Sequence, residues 1–98
     1  MDVTVIFEWI AQRSPDGAIR WLDAFEEAIN QLRHNAANCS LAIEADDFGI
    51  DLRQSLFRTR RGKSYRLLFV IRGDVVYLAA VRGPGQEVVA AGDLELPE

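Results

Sequence analysis

The 98-residue chain has a single cysteine, a single histidine, a single methionine, two tyrosines and three prolines. Cys39 alone cannot form an internal disulfide or a thiolate metal cluster, which fits a reducing compartment. A bilayer-spanning helix needs roughly 20 consecutive apolar residues, and no stretch here supplies them. No basic-then-apolar leader opens the chain, so a cytoplasmic location is expected. There is also no phosphate-cradling glycine loop, no zinc-ligand spacing and no nucleophile elbow. No metal and no cofactor are therefore expected. What remains is a chain with 49% hydrophobic and 27% charged residues, the composition of a globular protein, long enough for one core and too short for two. No internal repeat or low-complexity run divides it, and a single domain over 1–98 is expected.

The formal net charge of −4 conceals an asymmetry. Residues 51–82 carry eight basic side chains, Arg53, Arg58, Arg60, Arg61, Lys63, Arg66, Arg72 and Arg82, against the two acids Asp51 and Asp74. That stretch holds a surplus of six positive charges; the remainder holds three bases against thirteen acids. Such a split suits a basic sheet that meets an anionic partner. It also suits a strand edge charged to deter edge-to-edge pairing.

The same stretch, LRQSLFRTRRGKSYRLLFVIRGDVVYLAAVR, reads as three antiparallel strands over 52–82, divided at Arg61-Gly62 and at Gly73-Asp74. Gly73-Asp74 has the spacing of a two-residue hairpin loop, where glycine supplies the positive φ that such turns need. Arg72 then faces Val75 and Arg66 faces Val81. Plain alternation puts Tyr65, Leu67, Phe69, Ile71, Val76, Leu78 and Ala80 on one face, the better core. Arg66, Leu68, Val70, Arg72, Tyr77, Ala79 and Val81 fall on the other, which is expected to be only partly covered and to carry the functional surface.

Upstream, Val3, Ile6, Phe7 and Ile10 share one helical stripe, so Val3 to Gln12 is read as a helix despite its strand-like composition. Ser14-Pro15-Asp16 marks a second helix start: a capping hydroxyl, a proline at the first position and an acid at the positive dipole end. Ala18, Trp21 or Leu22, Phe25, Ala28 or Ile29, and Leu32 then recur at spacings of three and four. The two segments form a helical hairpin over 3–34 that should cover the Phe69/Leu78 face. Trp9 and Trp21 are both expected in the core. The segment from Asn35 to Ile50 is polar, with acids at Glu44, Asp46 and Asp47. Gln86 to Ala91 could add an edge strand, and residues 93–98 read as a tail.

Few side chains present chemistry. His34 sits at a helix end, where a cation complements the dipole. Cys39 has no partner or base nearby in sequence. Arg66 lies within the most apolar strand, where an unpaired cation would cost several kcal/mol. It must reach solvent, pair with an acid of the 44–47 cluster, or meet an anionic ligand. Arg58, Arg60, Arg61 and Lys63 cluster at the adjoining turn, with Tyr65 and Tyr77 nearby.

The order of these pieces, RSPDGAIRWLDAFEEAINQL, an acidic spacer, LRQSLF, a basic turn, YRLLFVIRGDVVYLAAVR and a glycine break, resembles the RelE/ParE superfamily of toxins from bacterial type II toxin–antitoxin modules, over about Val3 to Gln86. The resemblance implies an α+β fold with a helical hairpin on a small twisted antiparallel sheet, and an antitoxin protein as partner. It implies one of two activities: RelE-like messenger cleavage on the ribosome, or ParE-like poisoning of DNA gyrase. Of the RelE-like catalytic set only the arginine of the Tyr-Arg-Leu strand carries over, onto Arg66. Arg58, Arg60, Arg61, Lys63, Arg72, Tyr77 and Arg82 are the candidate nucleic-acid or target contacts. After the last strand RelE-like nucleases carry a further arginine and then a tyrosine, whereas this chain reads GPGQEVVAAG. The family's first strand also has no counterpart before Val3. The favoured expectation is a ParE-like, plasmid-stabilisation type of toxin acting by binding, with DNA contacted only through the antitoxin, no membrane association, and a homodimer possible. A messenger endonuclease using Arg66 and a non-toxic, decayed interaction module are the alternatives.

Overall fold

The computed structural model describes residues 3–59 and 62–83. Arg60, Arg61, the 86–91 strand and the 93–98 tail lie outside them. Helices α1 (Val3–Ala11) and α2 (Pro15–Asn35) form the expected hairpin. Ser14 caps α2: its Oγ accepts a hydrogen bond from the Gly17 amide at 3.0 Å, with Pro15 in the first turn. Gly17 is small for a reason, since a Cβ there would lie 2.9 Å from that capping oxygen. A 3-10 turn (Ala36–Asn38) and the short helix α3 (Ala45–Phe48), closed by Gly49 at φ 64°, lead into the strands.

Strands β1 (Arg53–Phe57), β2 (Tyr65–Arg72) and β3 (Val75–Arg82) form an antiparallel meander in the order β1-β2-β3. Arg72 pairs with Val75 across Gly73-Asp74, and Gly73 takes φ 60°. This is the two-residue hairpin that the sequence signals. The α+β architecture is thus as expected.

One face of the sheet meets the helices. Leu67, Phe69 and Val81 pack with Ile6, Trp21, Ala28 and Leu32, and Val3, Phe7, Ile10 and Phe25 close the margins. An aromatic group ties α2 to the β1–β2 end: Trp21 stacks on Phe25 with centroids 5.5 Å apart and meets Tyr65 edge-on at 5.5 Å, while Phe57 stacks on Tyr65 at 5.6 Å. Each such pair contributes about 0.5–1.5 kcal/mol beyond burial.

Three expectations are corrected. The ladder between β2 and β3 shifts register at Leu68/Phe69: Phe69 pairs with Leu78 but Leu68 pairs with Ala80, so Ala79 is the extra residue of a bulge. Beyond it every side chain changes face. Val81 enters the helix-side core, Ala80 leaves it, and Arg66 faces Arg82 instead of Val81. Leu78, expected in the core, stays 37% exposed.

The second face is also covered more fully than expected. Ala42, Ala45 and Leu52, with Phe48 and Ile50 beside them, pack on Leu68, Val70 and Ala79. Two backbone hydrogen bonds, Ala42 N–H to Leu52 O at 2.7 Å and Gln54 N–H to Ser40 O at 3.0 Å, tie this segment along the start of β1. Strand β2 is consequently buried on both sides, which accounts for its unbroken apolar run.

The tryptophans divide differently as well. Trp21 is 2% exposed, whereas Trp9 is 54% exposed with the Arg13 guanidinium 3.9 Å from its ring centroid. Trp9 lies off the Ile6–Ile10 stripe, so the hairpin turns it outward.

Candidate functional site

Strand β2 carries Arg66 toward the face covered by residues 42–52, and there it meets Glu44. The residue is held just before α3, and its side chain is fully buried. Arg66 donates from Nη1 to Glu44 Oε1 at 3.0 Å and from Nη2 to Oε2 at 2.8 Å, a bidentate pair. The same Nη1 donates to Gln54 Oε1 at 3.2 Å, from the neighbouring strand. The Arg66 side chain retains 23% exposure. The hydrogen bonds to Glu44 raise the guanidinium pKa above its ordinary value; partial burial opposes the rise and the carboxylate charge adds to it. Of the three fates open to Arg66 in the sequence, pairing with an acid of the 44–47 cluster is the one observed.

Arg82 joins this group because of the bulge, which sets it opposite Arg66 in the ladder. Two cations directly opposite one another repel, and a buried carboxylate on the same side offsets that repulsion.

The other candidates lie elsewhere. Arg58 and Lys63 are exposed at the β1–β2 end, and Arg60 and Arg61 of that turn fall outside the described residues. Arg72 is exposed at the opposite end of β2, six residues from Arg66 and so roughly 20 Å along the strand at ~3.3 Å per residue. Tyr77 is 39% exposed on β3, paired with Val70. Arg58 and Lys63 thus lie exposed at the same end of the sheet as Arg66 and Arg82, while Arg72 is exposed at the other. Tyr65 packs in the aromatic group, and burial pushes its phenol above the ordinary 10.0.

Two contributors carried no sequence signal. Gln54 reaches Arg66 only because β1 and β2 adopt this register. Arg53 donates to Cys39 O at 2.6 Å and fastens the 3-10 turn to the sheet. His34 is exposed in the last turn of α2. The Cys39 thiol contacts Asn35 O at 3.5 Å.

A helical hairpin on a three-stranded antiparallel meander is the arrangement anticipated from the motif order. A family model described as the ParE toxin of the type II toxin-antitoxin system, parDE, matches residues 2–87. The chain belongs to the ParE toxin family. No curated protein and no solved structure matches it. Membership makes it a toxin-type subunit of a type II toxin–antitoxin system and implies an antitoxin partner. Among the described residues no helix is long and apolar enough to cross a membrane.

Proposed function

We propose that this ParE-family chain acts as a ParE-like toxin, poisoning its cellular target by binding and not by cleaving nucleic acid, and that a cognate antitoxin neutralises it. The observation that carries the reading is the engagement of Arg66. An in-line phosphoryl cleavage needs cationic groups aimed at the developing charge and a group to move the proton. Arg66 is the one residue that matches the nuclease pattern, and both of its terminal nitrogens are committed to Glu44. A guanidinium so paired would have to break a bidentate contact with a buried carboxylate before it could take a phosphate, a cost of several kcal/mol.

Target contact falls instead to groups that reach solvent. Arg58 and Lys63 at one end of the sheet, Arg72 at the other and Tyr77 between them offer charge and one aromatic ring without a desolvation cost beforehand. Arg60 and Arg61 add to the first group by sequence. DNA gyrase is the target class that the ParE-like reading implies. The chain's net charge of −4 disfavours tight nucleic-acid binding by the toxin alone, so DNA contact is assigned to the antitoxin.

Induced expression tests this reading. Growth should slow on induction and recover when a neighbouring antitoxin reading frame is co-expressed, while messenger RNA stays intact. Messenger cleavage that disappears in Arg66→Ala would establish the endonuclease instead. Unimpaired growth at confirmed expression of folded protein would leave a non-toxic interaction module.

A further inference from the structure

Away from the arginine pair, the α1–α2 turn faces the β1–β2 loop across a cleft of about 790 Å³. Small-molecule sites typically measure about 300–1,000 Å³. Three aromatic rings, Trp9, Trp21 and Tyr65, line it together with two cations, Arg20 and Lys63. No carboxylate is among the described lining residues, although acids outnumber bases in the chain by four. The charge of the protein is thus reversed locally.

Two further features mark the cleft. The Arg13 guanidinium lies 3.9 Å from the ring centroid of Trp9, which is more than half exposed and sets a large apolar plane at a cleft wall. On the floor, the buried Trp21 indole Nε1–H has no acceptor among the described residues.

An inorganic anion would use the two cations but leave the aromatic walls unfilled. A purely apolar ligand would fill the walls and gain nothing from Arg20 and Lys63. A flat heteroaromatic ring joined to a phosphate uses both. We propose that this cleft binds a nucleoside phosphate, its base against Trp9 and Tyr65 and its phosphate at Arg20 and Lys63. Stacking of one base on aromatic side chains is worth about 1–3 kcal/mol, and the phosphate contacts add charge-assisted hydrogen bonds. A free nucleotide and the 5′-phosphorylated end of a DNA strand present the same chemistry. The site is separate from the Arg66 pair but shares Lys63 with the proposed target contacts.

The two tryptophans are built-in reporters, because their indole N–H groups give separate resonances in a ¹⁵N-correlated NMR spectrum. The full-length protein is titrated with AMP, GMP, adenosine, inorganic phosphate, and tetrathymidylate with and without a 5′-phosphate. AMP and GMP should move both indole signals, while adenosine and inorganic phosphate at equal concentration leave them nearly in place. Arg20→Gln, Lys63→Gln and Trp9→Ala should each weaken nucleotide binding about tenfold, or ~1.4 kcal/mol. Arg20, Lys63 and Trp9 are all exposed, so the variants keep the fold, which thermal unfolding verifies. A larger response to the phosphorylated oligonucleotide than to AMP would identify a strand end as the natural ligand; the reverse would identify the free nucleotide. The proposal is overturned if neither AMP nor GMP shifts an indole signal up to about 5 mM, a concentration above the millimolar Kd that corresponds to ~4 kcal/mol. It is equally overturned if inorganic phosphate alone reproduces the shifts, or if the Arg20→Gln/Lys63→Gln double variant binds as the wild type does.

Discussion

Arg66 and Glu44, twenty-two residues apart in sequence, close a bidentate ion pair at 2.8 and 3.0 Å beneath the segment that covers the sheet's second face. The pair is asymmetric, since Glu44 is fully buried while the Arg66 side chain keeps 23% exposure. Removing the cation deprives a fully buried carboxylate of its bidentate partner. Removing the carboxylate leaves a guanidinium able to turn outward. Arg66→Ala should therefore cost about 3–5 kcal/mol of unfolding free energy, and Glu44→Ala clearly less. Urea unfolding of the two variants measures the difference, and equal costs would contradict the asymmetry.

The bulge at Ala79 makes a prediction that plain alternation reverses. Val81 lies in the helix-side core at 4% exposure and Leu78 outside it at 37%. Val81→Ala should cost about 1–3 kcal/mol, and Leu78→Ala under about 1 kcal/mol, despite the larger side chain removed. Thermal unfolding of both variants settles the order, which would invert if the register ran unshifted.

Ser14 holds the start of α2 through a single hydrogen bond to the Gly17 amide. Ser14→Ala should destabilise the protein by about 1 kcal/mol, read as a lowered midpoint in urea with an unchanged slope. Ser14→Asp, which keeps an acceptor and suits the dipole, should restore most of that loss.

Tyr65 supplies a pH dependence. Burial raises its phenol above 10.0, so the folded state holds the proton where the unfolded chain has released it. The stability this contributes is fully present below about pH 10 and declines as pH rises from there through the higher folded-state value. Urea midpoints between about pH 9 and 11 should fall in the wild type. They should fall less steeply in Tyr65→Phe, which has no proton there to lose.

The parts of the fold that were legible in the sequence are those with local causes. Ser14-Pro15 and the spacing from Ala18 to Leu32 mark α2, and Gly73-Asp74 marks the β2–β3 hairpin, because capping and positive φ are requirements of a few adjacent residues. The bulge left no such mark: Ala79 and Ala80 are equally small, and which of them is the extra residue depends on how β3 fits against β2 and the layers on both faces. The covered second face was hidden for a related reason. Ala42, Ala45, Phe48, Ile50 and Leu52 are spread among Glu44, Asp46, Asp47 and Asp51, so the segment has no apolar period until the chain folds back along β1. Arg66 was recognisable as a buried cation in need of a partner. That Glu44 and not a ligand would answer it depended on that same fold-back. Trp9 and Trp21 differ by twelve residues, not a whole number of helical turns, and a hairpin connection lies between them; composition alone could not say which one faces inward.

The central claim is that Arg66 serves the fold and that toxicity comes from binding. Replacing the pair by apolar residues of similar size, Glu44→Leu with Arg66→Met, removes the guanidinium without leaving a buried charge and should keep stability close to that of the wild type. Growth on induction of this double variant is the direct measurement. The account predicts that the folded double variant still arrests growth and leaves messenger RNA intact. A folded double variant that has lost toxicity, beside a wild type that cleaves messenger, would contradict it.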